Sequence, residues 1–238
     1  MKEIRKIYEE NKGIYGSPRV HQVMVRRGYR CSVNKVGRLM KKMGLVGRAR
    51  KAYRTLPKLH RFFNKTDNKR LDTPLPDSIN QVWVGDLTYL KIGKKWQYLA
   101  VVMDLYSRKV LGWSLSDRRT VKLTMTVLNR SIARRKPEEG LIFHSDRGIE
   151  YSAYKYQDKL KEHGIIPSMN RPGHCQDNAH MESFFHSLKA ELIKGTQIDS
   201  VAELRGRLKN YINHFYNKKR LHSGLDYLSP LEYEQLRT

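Results

Sequence analysis

An aspartate inside an apolar strand constrains this chain more than any other feature. The run Val82-Trp83-Val84-Gly85-Asp86-Leu87-Thr88-Tyr89-Leu90-Lys91-Ile92 is rich in β-branched and aromatic residues and reads as a strand. Asp is disfavoured there, and an unpaired buried carboxylate is costly, so the position calls for a cation or a partner. Two further acids stand in comparable settings. Asp146 follows the short apolar strand Leu141-Ile142-Phe143-His144, at the carboxyl end where α/β sheets place ligands, and Gly148 lets the chain turn away beyond it. Glu182 lies on a helix read over residues 177–194, with Phe184, Phe185, Leu188 and Leu192 as its core-facing set. Fifty-nine residues separate the first two acids, and 35 separate Asp146 from Glu182. Three converging carboxylates can hold two divalent ions when substrate phosphate supplies the remaining ligands, and two metals can drive phosphodiester chemistry. Each acid also has a plainer reading: Asp86 in a turn, Asp146 in a loop, Glu182 on an exposed helix face.

The surrounding pattern supplies a frame. Strands are expected over 82–92, 96–105 and 109–115, joined first by a turn at Gly93-Lys94, as an antiparallel meander. A helix over 120–135 turns Val121, Leu123, Thr124, Val127, Leu128 and Ile132 inward. Strand 141–144, helix 152–163, strand 165–169 and helix 177–194 follow. The order βββαβαβα predicts an α/β fold, a mixed five-stranded sheet with helices on both faces. In the tail, Ser200-Val201-Ala202-Glu203 is a capping box opening a helix with the stripe Val201, Leu204, Leu208, Tyr211, Ile212 and Phe215. A basic loop from Asn217 to Gly224 leads to a last short helix starting at Ser229-Pro230.

Charge points to the partner. The chain of 238 residues carries 47 Lys+Arg against 23 Asp+Glu, a formal charge of +24, which is relieved by a polyanion. Nucleic acid bound through its phosphates fits best. Residues 1–44 read as three short helices: 1–11, one opened by Ser17-Pro18 as cap and first-turn proline, and one capped by Ser32. The second and third read as a helix-turn-helix, the third carrying Asn34, Lys35, Arg38, Lys41 and Lys42; the alternative is a small helical bundle that only packs on its neighbour. Between Leu45 and Leu71 lie nine Lys/Arg and one acid, Asp67, interleaved with Tyr53, Phe62 and Phe63. This stretch, including Arg48, Arg50, Lys51, Arg54 and Arg61, reads as an arm along a nucleic-acid backbone; the alternative is a solvated linker. No apolar run approaches the roughly 20 residues of a membrane span, and a cytosolic location is expected. Cys31 and Cys175 read as free thiols, and no paired Cys/His spacing supports a zinc site.

Several blocks resemble the retroviral-integrase-like transposases of bacterial insertion sequences, specifically the second-reading-frame protein of insertion-sequence family three. These are Tyr15-Gly16-Ser17-Pro18-Arg19-Val20 with the segment from Val36 to Leu45, then Trp83-Val84-Gly85-Asp86-Leu87-Thr88-Tyr89, and His144-Ser145-Asp146-Arg147-Gly148. The segment from Asp177 to Lys189 and the tail from Tyr216 to Leu225 with Ser229-Pro230-Leu231-Glu232-Tyr233 complete the match. The 35-residue gap is also the family's spacing. The resemblance implies a ribonuclease-H-like core whose Asp86, Asp146 and Glu182 are catalytic and bind two Mg²⁺ or Mn²⁺ ions. It implies cleavage at the element end to free a 3′-OH, which then attacks another phosphodiester. Lys189 matches a basic residue the family keeps on that helix, and it shares Glu182's face two turns on, a position suited to terminal DNA. Asn178, one turn before Glu182, is a candidate DNA contact or support for that acid, or caps the helix. The partners implied are double-stranded element and target DNA, further copies of the chain, and the upstream-reading-frame protein, fused or in trans.

The expected division is a helix-turn-helix domain over 1–47, a basic arm over 48–78, the catalytic core over 79–195 and a helical extension over 196–238. Two rivals accompany the transposase reading: a nuclease of the same core without strand transfer, and a non-catalytic DNA-binding repressor or architectural protein.

Overall fold

The computed structural model describes residues 1–48, 66–71, 73–93 and 95–237. Its centre is a five-stranded sheet in the order β3-β2-β1-β4-β5, built from β1 (Val82–Ile92), β2 (Lys95–Asp104), β3 (Val110–Ser116), β4 (Ile142–Ser145) and β5 (Ile166–Met169). β1 pairs antiparallel with β2, and β2 with β3. β4 runs parallel to both β1 and β5. The first three strands can pair through short turns, whereas the parallel ones require crossover helices. Those are α4 (Val121–Arg135) and the pair α5 (Ile149–Ser152) and α6 (Tyr154–Glu162).

Helices cover both faces, so the central strands read as almost continuous apolar runs. Alternation along β1 sorts its side chains. Trp83 and Leu87 enter one core with Leu123, Val127, Leu128, Tyr156 and Leu160 of α4 and α6. Val82, Val84, Leu90 and Ile92 enter the other, against Met181, Phe184, Phe185 and Leu188 of α7 (Ala179–Leu188). The tail completes this second core. Leu204 and Leu208 of α8 (Val201–Lys209) join Tyr211, Ile212 and Tyr216 of the following π-helical turn, Asn210–Tyr216.

The N-terminal unit comprises α1 (Lys2–Glu10), α2 (Ser17–Arg26) and α3 (Val33–Lys42). Ile4, Ile7, Val20, Met24, Val36 and Met40 form its core, joined by Leu221 from the tail. Ser32 caps α3 as expected, accepting a hydrogen bond from Lys35 N at 3.2 Å. Ser17 does not cap α2; Gly16 holds that position, and Ser17 and Pro18 form the first turn.

Three elements depart from the periodic reading. The helix read over 152–163 is α6, Tyr154–Glu162, and a separate short helix, α5, precedes it, with the extended Ala153 between them. The helix read over 177–194 enters through a 3-10 turn, Cys175–Asn178, and leaves through a π turn, Lys189–Ile193. Val201 is 36% exposed at the first turn of α8 rather than part of its buried stripe.

The π turn brings Glu191 inward to Arg220. Arg220 donates Nε–H to Glu191 Oε2 at 2.8 Å and Nη2–H to Oε1 at 2.6 Å, and Tyr211 adds its hydroxyl at 2.7 Å. Only 1% of the Arg220 side chain and 4% of Glu191 is exposed. Burial pushes Glu191 up and Arg220 down. Their mutual hydrogen bonds outweigh that, leaving Glu191 below and Arg220 above their ordinary values. The N-terminal unit docks on the same tail. Tyr15 donates to Lys219 O at 3.1 Å and accepts from Leu221 N at 3.0 Å, Arg19 donates to Leu221 O at 2.9 Å, and Arg48 donates to Glu191 O at 2.5 Å. Removing one member of a buried pair strands the other charge. Glu191→Gln is expected to destabilise the chain by about 3–5 kcal/mol in urea unfolding; an unchanged midpoint would contradict this account of the pair.

Candidate active site

Gly85 and Ser145 are paired neighbours on the parallel strands β1 and β4, and each is followed directly by an aspartate. Asp86 and Asp146 therefore emerge side by side at the carboxyl edge of the pairing, each 7% exposed. Asp86 Oδ1 accepts a hydrogen bond from Leu87 N at 2.7 Å, and Asp146 Oδ1 accepts one from Gly148 N at 3.0 Å. Gly85 is required for this approach. A Cβ there would stand 2.6 Å from Phe143 Cζ and 3.5 Å from Tyr151 Cε1. Gly85 faces the α4 side of the sheet, so alternation turns Asp86 toward α7.

Glu182 lies half-buried on α7, whose Phe184, Phe185 and Leu188 pack on the same sheet face. The start of this helix is tied down on two sides. Asp177 accepts hydrogen bonds from Asn68 Nδ2 at 2.8 Å, Arg171 N at 2.9 Å and Arg171 Nη2 at 2.9 Å, and Arg70 donates to its backbone carbonyl at 2.9 Å. The Arg171 hydrogen bond chiefly holds the Asp177 carboxyl well below the usual carboxylate range. Asn178 Nδ2 then donates to Gly85 O at 3.2 Å, joining α7 to the residue before Asp86.

At 2% exposure Asn178 has no surface to offer DNA, which corrects its candidacy as a DNA contact. It makes no side-chain cap either. Its Oδ1 is buried without a hydrogen-bond partner. Lys189 reaches over Tyr89, three residues beyond Asp86, with Nζ 4.8 Å from the ring centroid.

Asp86 and Asp146 are thus brought together, and Glu182 is delivered to the same face. Among the described residues, no three carboxylate, imidazole or thiolate groups close around a single point. Asn34, Lys35, Arg38, Lys41 and Lys42 are all exposed on one side of α3. Arg48 is exposed and engages Glu191 O, while Arg50, Lys51, Arg54 and Arg61 lie outside the described residues.

Two site residues carried no sequence signal. Arg119, before α4, grips Glu150 of α5 in a two-point ion pair, Nε–Oε1 at 2.6 Å and Nη2–Oε2 at 2.8 Å. Burial works against the Arg119 charge, but bonded Glu150 and the charges of Asp146 and Asp86 outweigh it and raise its pKa. Arg119 and Glu150 also crowd Gly148, where a Cβ would meet Asp146 Oδ1 at 2.9 Å and both of their side chains at 3.1 Å. They form the wall beside the aspartates. Behind Asp146, His144 lies within hydrogen-bond distance of Ser168 Oγ (2.8 Å) and Asn170 Oδ1 (2.7 Å). Burial, helped by Arg70, takes this histidine down to about 4, so it is a neutral brace between β4 and β5. Arg147 donates to Asn170 O at 2.7 Å and Thr66 O at 2.8 Å, fixing the loop that carries Asp146.

A mixed sheet with an acid on its first strand, a second at the end of the neighbouring parallel strand and a third on the covering helix defines an integrase-type, ribonuclease-H-like core. Residues 76–175 and 163–230 match families described as Integrase core domain, and residues 1–53 match HTH-like domain. A transposase for insertion sequence element IS904 from Lactococcus lactis subsp. lactis (strain IL1403) is 37% identical, over 98% of this chain and 92% of that protein. Transposase InsF for insertion sequence IS3A from Escherichia coli (strain K12) is 38% identical, over 95% of this chain and 79% of that protein. In fold, the chain is similar to one in the cryo-EM structure of a simian T-cell lymphotropic virus intasome in complex with PP2A regulatory subunit B56 gamma. The TM-score is 0.56 at 15% identity, over 97% of this chain and 74% of that one. The chain belongs to the IS3-family transposases, enzymes that move insertion-sequence DNA. Neither a plain nuclease nor a non-catalytic repressor is favoured by these relatives.

The packing at Gly85 gives a direct test. Gly85→Ala places a methyl group into the Phe143 ring, with an expected cost of about 1–3 kcal/mol. It should also lower DNA cleavage, because the strand must shift at the residue before Asp86. Unaltered stability and cleavage would show that the close approach is not needed.

Proposed function

We propose that Asp86, Asp146 and Glu182 are the catalytic acids of this transposase and hold its divalent metal, Mg²⁺ or Mn²⁺, as two ions shared with substrate phosphate. The observation that carries the reading is the parallel pairing that sets Asp86 beside Asp146 beneath the helix bearing Glu182. The donor chemistry fits a hard cation. Both aspartates are buried, their held oxygens each accept one backbone N–H, and the buried Asn178 Oδ1 beside Gly85 is an oxygen without a proton donor. When bound, such ions supply Lewis-acid stabilisation to the attacking and leaving oxygens of an in-line phosphodiester displacement.

The chain's own groups do the positioning. The backbone N–H groups of Leu87 and Gly148 fix the two aspartates. Asn178 fixes the height of α7 over β1, which keeps Glu182 on the sheet face that carries Asp86. Lys189 holds the terminal phosphate backbone beyond Tyr89. Exposed Arg38, Lys41 and Lys42 of α3 meet DNA as a recognition helix does, and Arg48, Arg50, Lys51, Arg54 and Arg61 extend that contact along the basic arm. The working division is a helix-turn-helix unit over 1–47, an arm over 48–78, the core over 79–195 and an extension over 196–238. The enzyme works as a homo-oligomer on element and target DNA in the bacterial cytoplasm. Among the described residues, no helix is long and apolar enough to cross a membrane.

Asp86→Asn, Asp146→Asn and Glu182→Gln are each expected to abolish oligonucleotide cleavage and joining while DNA affinity stays within about twofold. Full activity in any one of them removes that acid from the set. Chelation should stop the wild-type reaction. Mn²⁺ should raise the melting temperature of the wild type more than that of Asp146→Asn, and equal shifts would argue against metal binding at Asp146.

A further inference from the structure

Beyond Gly85 the sheet narrows. β4 pairs with β1 only over Val82–Gly85, and β3 joins β2 only from Tyr98 on. β1 and β2 continue alone as a two-stranded hairpin, with Tyr89 opposite Tyr98 and Ile92 opposite Lys95. Asp86 stands at the root of this hairpin.

Two of the hairpin's rings are turned to solvent. Tyr89 is 40% exposed and Trp96 is 47% exposed. The register puts them on one face. Their centroids lie 5.2 Å apart and their planes 82° apart, so together they form an open corner. Cations rim it. Lys91 Nζ is 5.7 Å from the Trp96 centroid, Lys189 Nζ is 4.8 Å from that of Tyr89, and Lys95 is exposed at the start of β2. From Leu87 to Met103 the sequence holds no acid. Alternation turns Tyr89 to the α4 side of β1, whereas Lys189 arrives from the α7 side. The Tyr89 ring therefore stands at the edge of β1 that β4 has left open.

Exposed apolar residues scattered singly are ordinary, but adjoining rings mark an interaction surface. The cationic rim calls for a polyanion, and the rings call for a flat partner. DNA, which the family moves, offers both. Its phosphates meet lysines, and its bases stack on aromatic rings whatever their sequence. Bases inside a duplex already stack on one another, so the corner receives one that has left the helix. Along β1, Tyr89 lies about 10 Å from Asp86 at about 3.3 Å per residue, which is about three nucleotide steps.

We propose that Tyr89 and Trp96 form a stacking site for one unpaired base of the DNA, within about three nucleotides of the phosphodiester at Asp86. A base held there keeps the two strands apart beside the acids and fixes the strand to be cut. Its place relative to the cut rests on the reading of the three acids given above; the stacking itself does not.

The full chain, without metal, is titrated with a duplex bearing a short single-stranded thymidine tail, and with the same duplex whose tail is abasic. Losing one stacking ring costs about 5- to 150-fold in affinity. Wild type is expected to favour the thymidine tail by at least about fivefold. Tyr89→Leu and Trp96→Leu should lose that preference, and Trp96→Phe should keep most of it. All three should bind the untailed duplex as wild type does, because net charge is unchanged. Asp86→Asn should retain the preference, so a failure of the acid assignment is read separately. Equal wild-type affinity for the two tails would overturn the proposal, as would a preference that survives in both leucine variants. Leucine variants that only lower the melting temperature, or only dissolve a dimer, would make the ring pair a hairpin clasp or a contact between copies, and would overturn it too.

Discussion

The site depends on how β1 and β4 pair, because the parallel register of Gly85 with Ser145 determines where the next residue of each strand goes. A shift of one residue would send Asp86 to the opposite face, into the core of Trp83 and Leu87. Packing guards the register. Gly85 admits the Phe143 ring, which packs at tilted angles against Tyr151 and Tyr156 in the α4-side core. Apolar contacts on one face therefore hold a charged group in place on the other.

The helix that carries Glu182, α7, is held at both ends by polar contacts within an otherwise apolar face. At its start, Asp177 and Asn178 bind the 66–71 segment, Arg171 and β1. Beyond its end, the π turn delivers Glu191 to Arg220, and the same tail segment receives Tyr15 and Arg19 from the N-terminal unit. Helix-turn-helix, α7 and tail thus meet at one buried cluster. Its ion pair need not add net stability, since desolvation offsets much of the attraction. It does give these three parts a single arrangement.

Much of this was legible from local pattern. The meander, the alternation after it and the apolar faces of α4 and α7 follow from periodicity, and Ser32 and Ser200 cap their helices, accepting from backbone N–H at 3.2 and 3.1 Å. Asp86 stood out because a strand of that composition has no other charged residue until Lys91. What escaped was tertiary. Arg119 meets Glu150 across 31 positions of sequence, and no spacing announces that. Arg220 sits in the basic loop read from Asn217 to Gly224, yet it is buried and paired with Glu191. The π turn that makes their meeting possible cannot be told from α-helix by hydrophobic period alone. Asn178 read as a DNA contact, a support for Glu182 or a helix cap, and the sheet beneath takes its amide, which donates to Gly85 O.

The account rests on Asp86, Asp146 and Glu182 converging on metal when DNA is bound. Anomalous scattering from Mn²⁺ in crystals of the full chain with its terminal DNA reads this directly. The account predicts a peak between Asp86 and Asp146 with a Glu182 oxygen in its coordination shell, at a distance of about 2.0–2.3 Å, near that of small hard cations. A metal peak that excludes either aspartate, or a Glu182 carboxylate outside the coordination shell in the DNA complex, would contradict it.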